Sequence, residues 1–107
     1  MATTDAVLHL SVPVSDLEAA RRFYVEGFGC RVGRVRPDWL DVWFFGMQLT
    51  LQHRPDEVRP VGEQGVRHFG VVLTDAESYS NLIDRLRATG VEWLSEPAAH
   101  TSSELSG

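Results

Sequence analysis

The sequence contains a single cysteine, Cys30, so a disulfide bond within the chain is excluded. Its apolar runs, such as residues 43–45, are far shorter than a helix that spans a bilayer. The first residues also lack the basic region and apolar core of a signal peptide. These absences predict a cytoplasmic protein whose free cysteine suits a reducing compartment.

Charge excludes two classes of partner. The 107 residues include 10 basic and 15 acidic side chains, which gives a formal net charge of −5. The arginines are scattered along the chain rather than gathered in a stripe. Nucleic acid and anionic membrane surfaces are therefore not expected to bind. The length favours one small globular domain.

The chain contains an internal repeat. Residues 7–24 recur as residues 66–83 at an offset of 59 positions. Each copy begins with an apolar, β-branched run that predicts a strand. A hydroxyl residue followed three positions later by glutamate then predicts a capping box at the start of a helix: Ser15 with Glu18, and Thr74 with Glu77. The identical pairs are Val7/Val66, His9/His68, Val12/Val71, Asp16/Asp75 and Glu18/Glu77.

The first copy continues into further strands. The pattern predicts strands over residues 30–35, 39–45 and 47–52, with a turn at Gly46. We therefore expect a βαβββ module over residues 5–54, a connector over 55–65 and a second module over 66–107, with strands over 66–73 and 91–94. The offset places the counterpart of Gln48 at Gly107, so the second module is expected to be incomplete after βαβ.

Two histidines occupy equivalent positions in the two copies. Alternation along the first strand places His9, Ser11 and Pro13 on the face opposite the apolar residues. His68 has the same position in the second copy and is followed by Gly70. A single strand histidine is ordinarily a hydrogen-bonded structural residue. Two equivalent imidazoles brought together by a pseudo-twofold fold instead suit a divalent transition metal.

Residues 39–45 carry large rings on one face. Trp39, Trp43 and Phe45 alternate with an apolar set that is expected to pack against the helices. These rings either fill the core or a dimer contact, or form the wall of a pocket for a planar or apolar ligand. Gln48 and Gln52 share a face of the next strand and would supply polar groups to such a pocket.

Three segments together resemble the vicinal oxygen chelate superfamily. They are residues 9–24, beginning His-Leu-Ser-Val-Pro-Val-Ser-Asp, residues 46–51, Gly-Met-Gln-Leu-Thr-Leu, and residues 68–75, His-Phe-Gly-Val-Val-Leu-Thr-Asp. This superfamily includes glyoxalase I, extradiol dioxygenases, fosfomycin-resistance transferases and bleomycin-resistance proteins. The resemblance implies an α+β fold in which tandem βαβββ modules form a half-open, curled sheet around a cleft. It also implies a small-molecule substrate or ligand and a homodimer.

The resemblance further implies a site. His9 and His68 match the first-strand metal ligands of the two modules, and Gln48 lies where many members have a glutamate. The implied cofactor is a divalent ion (Fe, Mn, Zn or Ni), with Trp39, Trp43, Phe45 and Gln52 as substrate-binding residues. The implied function is a metal-dependent enzyme of glyoxalase or dioxygenase type. The alternative is a metal-free protein that sequesters a drug or metabolite.

Overall fold

A computed structural model of the chain describes residues 5–97. Four strands precede the connector, and one long helix follows it. The elements are β1 (His9–Val14), α1 (Leu17–Arg22) with a π-helical continuation (Phe23–Gly27), β2 (Arg31–Arg36), β3 (Trp39–Phe44), β4 (Met47–His53), the 3₁₀ turns Pro55–Glu57 and Val61–Glu63, and α2 (Ala76–Ala88).

The four strands form one mixed sheet in the order β1-β4-β3-β2. β1 pairs with β4 in parallel, whereas β4–β3 and β3–β2 are antiparallel. The sheet is curled and does not close, so β1 and β2 are both edge strands. The fold is therefore α+β, and the βαβββ order predicted for the first repeat is confirmed.

One face of the sheet forms the core. Alternation along β3 and β4 directs their apolar side chains to the same side, where they pack beneath α1 and its continuation. Leu17, Ala20 and Tyr24 cover this layer from the helical side. Its buried members are Cys30, Leu40, Val42, Phe44, Leu49 and Leu51.

Both α-helices begin one residue later than predicted. The capping residues are Asp16 and Asp75, rather than Ser15 and Thr74 as the capping-box pattern suggested. Asp16 Oδ1 accepts from the Ala19 amide at 3.0 Å, and Asp75 Oδ1 accepts from the Ser78 amide at 2.7 Å. A carboxylate caps as well as a hydroxyl and also interacts favourably with the positive end of the helix dipole, so the aspartate of each copy takes the position.

The cap assignment predicts the outcome of a pair of substitutions. Asp75→Ala should lower the free energy of unfolding by about 1 kcal/mol, because it leaves the Ser78 amide without its partner. Thr74→Ala, one residue earlier, should change it by less than about 0.5 kcal/mol. Urea denaturation followed by circular dichroism measures both. A larger loss for Thr74→Ala than for Asp75→Ala would contradict the assignment.

The strands predicted for the second copy are not formed. Residues 66–73 and 91–94 lie outside any sheet, so these two predictions were wrong for the structure. A strand needs a partner for its backbone groups, and β1 obtains its partner from β4. The offset of the repeat places the counterpart of Gln48 in β4 at Gly107, outside the described residues.

The helix of the second copy does form, and it packs on the first. Leu86 of α2 is 5% exposed and lies against Gly27, where an added Cβ would come within 2.9 Å of Leu86 Cδ2. Arg85 Nε donates to the Glu26 carbonyl at 2.8 Å. Before α2, Phe69 contacts Phe44 edge to face at 5.8 Å between ring centroids. The second copy is thus anchored to the core side of the sheet.

None of the helices within residues 5–97 has the length and apolar character needed to cross a membrane.

Candidate functional site

The other face of the sheet is polar. Residues paired across a ladder share a face, and here His9 lies beside Gln48 and Ser11 beside Thr50. On the far side of β4, Asp41 lies beside Thr50, while the two tryptophans of β3 lie beside glutamines. Three rows of residues across β1, β4 and β3 share this face: His9–Gln48–Trp43, Ser11–Thr50–Asp41 and Pro13–Gln52–Trp39. The alternation predicted for β1 is confirmed.

This face contains an open cleft of about 330 Å³. Such a volume lies at the lower end of the range for small-molecule sites. The lining residues come from all four strands: His9, Ser11, Arg34, Trp39, Thr50 and Gln52. Three of the predicted site residues, His9, Trp39 and Gln52, are therefore brought together.

His9 is oriented by the backbone of β4. Its Nδ1 lies 3.1 Å from the carbonyl oxygen of Gln48. A carbonyl oxygen only accepts, so the bond requires a proton on Nδ1, and the neutral ring then carries its lone pair on Nε2. His9 is exposed, and this tautomer makes Nε2 available as an acceptor or metal ligand.

The glutamines of β4 have different surroundings. Gln52 Nε2 donates to the hydroxyl of Ser11, which ties β4 to β1 across the cleft. Gln48 shares the face of His9 and is half-buried. Within the described part of the chain no hydrogen bond engages the Gln48 side chain, so its amide oxygen is available to a ligand.

The Nδ1 atom of His68 also contacts a backbone carbonyl, but one in its own segment rather than in a paired strand, and His68 does not line this cleft. Its Nδ1 lies 2.8 Å from the Val66 carbonyl oxygen, which again leaves the lone pair on Nε2. The next residue, Phe69, packs on Phe44 at the core face, whereas His9 lies on the polar face. In residues 5–97, no group of three or more histidine, cysteine, aspartate or glutamate side chains is placed to hold a metal ion.

The large rings predicted for one face separate in the structure. Trp39 lines the cleft, and Trp43 lies on the same face beside Gly33, where a Cβ would come within 3.3 Å of Trp43 Nε1. β3 ends at Phe44, one residue before the predicted end. Phe45 instead occupies the turn to β4 with a φ of 50°, followed by Gly46 at 84°, and it contacts Phe28 and Phe44. Two positive φ values in succession suit a two-residue hairpin, and this turn directs Phe45 away from Trp43.

An ion pair between a buried carboxylate and a partly exposed arginine lies beneath the cleft. Asp41 is 1% exposed, and its two oxygens accept from Thr50 Oγ1 at 2.6 Å and from Arg34 Nε at 2.6 Å. Burial by itself would raise the pKa of this carboxyl, but the hydrogen bonds from Arg34 and Thr50, with the charge of Arg34, outweigh burial and hold the pKa below its usual value. Asp41 is therefore ionised at neutral pH and fixes the guanidinium of Arg34.

Arg34 reaches the cleft because β2 is bulged. The ladder with β3 shifts register between Val32 and Val35, so that Gly33 and Arg34 together lie opposite Asp41. Regular alternation would have directed Arg34 to the core face. The sequence patterns did not single out this residue, although a glycine inside the strand pattern (residues 31–36, Arg-Val-Gly-Arg-Val-Arg) is a signal for a bulge.

Comparison with known proteins identifies the family. Residues 6–107 match the family model of the glyoxalase/bleomycin resistance protein/dioxygenase superfamily. No curated protein matches the chain.

Solved structures of this superfamily share the fold. A glyoxalase/bleomycin resistance protein/dioxygenase from Alicyclobacillus acidocaldarius is 34% identical, with a TM-score of 0.70 over 85% of this chain and 68% of that one. A protein described as a possible glyoxalase from Bacillus cereus is 25% identical, with a TM-score of 0.63 over 81% and 76% of the two chains. Lactoylglutathione lyase from Agrobacterium tumefaciens, at 18% identity and a TM-score of 0.56 over 85% and 75%, shares the fold. The chain belongs to the glyoxalase/bleomycin resistance protein/dioxygenase superfamily.

Proposed function

We propose that the protein is a metal-dependent enzyme of the glyoxalase or dioxygenase kind that acts on a small molecule in the cleft of the polar face. The observation that carries the proposal is the orientation of His9. Its Nδ1 is tied to the Gln48 carbonyl at 3.1 Å, which leaves Nε2 as the nitrogen that can bind a metal, and His9 lines the cleft. A backbone carbonyl that fixes the tautomer of an imidazole is the usual support of a histidine that binds a metal.

The nitrogen and oxygen donors of these residues are of the types that bind a divalent transition metal. His9 and His68 each offer Nε2, and Gln48 offers a neutral amide oxygen beside His9. Such an ion would act as a Lewis acid that binds two adjacent oxygens of a substrate. The chain's own residues would orient the substrate, with the Ser11–Gln52 pair on one side of the cleft and Trp39 on the other.

We propose that His68 joins the site of a second copy in a homodimer. The supporting observations are that β1 is an edge strand and that residues 66–73 are without a sheet partner within the described range. Val66 and Val72 of this segment are 90% and 78% exposed, which is apolar surface that an interface would cover. An edge strand is a template for pairing with another chain.

Metal binding tests the proposal directly. Protein passed over a chelating resin is dialysed against Zn²⁺, Ni²⁺, Mn²⁺ or Fe²⁺, and bound metal is counted by elemental analysis. His9→Ala should weaken binding more than about 100-fold, because losing a residue that merely orients a ligand already costs about 10–100-fold. His68→Ala should behave in the same way. His53→Ala, at the exposed end of β4, is the matched control and should bind as the wild type does.

Two outcomes would overturn the proposal: absence of bound metal in the wild type, or equal binding by the His9→Ala and His53→Ala variants. Sedimentation of the same samples tests the dimer separately. If the protein is a monomer and still binds metal through both histidines, the proposal of a site shared between two copies is overturned.

A second candidate is a metal-free protein that binds and sequesters a small molecule. The observation that favours it is that none of the described residues lining the cleft is a carboxylate, and Asp41, which lies beneath the cleft, is engaged by Arg34 and Thr50. Ligand binding by metal-stripped protein, together with the absence of bound metal, would favour this candidate.

A further inference from the structure

We propose that the arginines of β2 form a subsite for the carboxylate group of a small organic acid, with Arg34 as the fork that receives it. The inference names the ligand class of the cleft described above, and it rests on the proposal that this cleft is where the substrate binds.

Arg34 is fixed at one end and available at the other. Its Nε donates to the buried Asp41 at 2.6 Å, and no further hydrogen bond within residues 5–97 engages its two terminal nitrogens. The side chain is 57% exposed and lines the cleft with His9 and Trp39. A guanidinium held through Nε presents its two terminal N–H groups side by side, which is the geometry that binds a carboxylate through two parallel hydrogen bonds.

Two other arginines on β2 give this edge of the cleft a positive charge. Arg36 lies beside Trp39 and Arg31 beside Trp43 in the ladder, so both are on the cleft face. Neither forms an ion pair with another described residue. The ring of Trp39 helps to hold two of these charges, since the guanidinium carbons of Arg34 and Arg36 lie 5.1 and 5.5 Å from its centroid. A positive edge on a protein of net charge −5 attracts anions locally.

The need to protect β2 as an edge strand does not explain this arrangement of arginines. Charged side chains commonly line exposed edges and prevent pairing with other chains, and any exposed arginine serves that purpose. Here one arginine is held by a carboxylate that is 1% exposed, and burying that carboxylate has a desolvation cost. The bulge at Gly33–Arg34 also turns this side chain into the cleft. Both features orient a guanidinium toward a ligand.

A carboxylate suits the subsite better than a phosphate. Phosphate sites generally use backbone amides at a helix N-terminus or in a loop. The cleft lies on one face of the sheet, and the backbone of the two central strands, β3 and β4, is used in the ladder. Recognition must therefore come from side chains, and a planar guanidinium matches a planar carboxylate.

The test uses benzoate and benzamide, which have nearly the same shape and differ in charge. Each is titrated into ¹⁵N-labelled, metal-stripped protein, and the indole N–H signals of the tryptophans are followed by NMR. Benzoate should shift the Trp39 signal with at least about tenfold higher affinity than benzamide. Trp93, which has Arg87 at 5.5 Å from its ring but is not part of the cleft, serves as the internal reference and should not shift.

Variants identify the arginines responsible. Arg34→Lys keeps a charge opposite Asp41 but loses the fork, and it should weaken benzoate binding about tenfold. Arg36→Gln, which breaks no ion pair among the described residues, should weaken it about threefold. Arg87→Gln changes the net charge by the same amount beside Trp93, outside the cleft, and is the control; it also removes an exposed ion pair with Glu96, and no effect on benzoate binding is expected.

Equal binding of benzoate and benzamide, binding of inorganic phosphate but not benzoate, or unchanged affinity in both the Arg34→Lys and Arg36→Gln variants would overturn the inference. His9→Ala separates it from the metal proposal. If that variant loses metal and keeps benzoate, both proposals are supported. In the wild-type protein, metal binding without benzoate binding would overturn only this inference, and benzoate binding without metal binding would overturn only the metal proposal.

Discussion

Leu49→Ala should lower the free energy of unfolding by about 3 kcal/mol. Leu49 lies in β4 at the centre of the sheet and is 0% exposed, among the buried residues of the core. Removing three buried carbons loses their transfer free energy, and a cavity remains because strands held on both sides cannot collapse into it. Urea denaturation at neutral pH measures the change.

Leu8→Ala is the matched control. It makes the same substitution just before β1, where Leu8 is 78% exposed. Little surface is buried there, so the free energy of unfolding should change by less than about 0.5 kcal/mol. Equal decreases in the free energy of unfolding for Leu8→Ala and Leu49→Ala would contradict the assignment of the core to the helical face of the sheet.

The positions of the core and of the polar face could be predicted from the sequence because both follow from alternation. The pattern of β3 separates Leu40 and Val42 from Trp39 and Asp41, and the structure has them on opposite faces. Alternation along β1 placed His9 and Ser11 together, and both line the cleft. Such predictions succeed because a side chain in a regular strand has only two directions.

Predictions from the sequence failed where a local residue pattern does not by itself determine the structure that forms. Residues 66–73 repeat the pattern of β1, but a strand forms only with a partner, and within residues 5–97 no strand pairs with them. The caps shifted by one residue because Ser15 and Asp16 are both good capping residues, and only the backbone decides between them.

The ion pair beneath the cleft was missed for a related reason. Regular alternation directs Arg34 away from Asp41, and only the bulge brings the two together. Gly33 indicates a bulge, but the residue that moves and the face to which it turns depend on the register with β3. The arginine that we propose to recognise the ligand is thus visible only in the structure.

Arg34→Met should lower the free energy of unfolding at pH 7 by about 3 kcal/mol, because it leaves a buried carboxylate without its cation. Asp41→Asn should cost less, about 2 kcal/mol. The reason is the unequal burial of the pair: Asp41 is 1% exposed, whereas Arg34 is 57% exposed and recovers water when its partner is removed. The double variant should be more stable than the Arg34→Met variant, since it removes the unpaired charge.

The pH dependence gives a separate test of the same pair. In the wild type the pKa of Asp41 is lowered, so its contribution to stability is complete above the pKa of the unfolded chain, about 4, and is lost as the pH falls toward the lowered value. In Arg34→Met the largest remaining influence is burial, which raises the pKa, so the variant should recover stability from this group as the pH falls. The difference in unfolding free energy between wild type and variant should therefore shrink between about pH 6 and pH 3.

Urea denaturation between about pH 6 and pH 3 measures this difference, with Asp41→Asn/Arg34→Met as the control that has no group to titrate at this position. A difference that stays constant with pH would show that Asp41 does not bear the charge that holds Arg34 in the cleft.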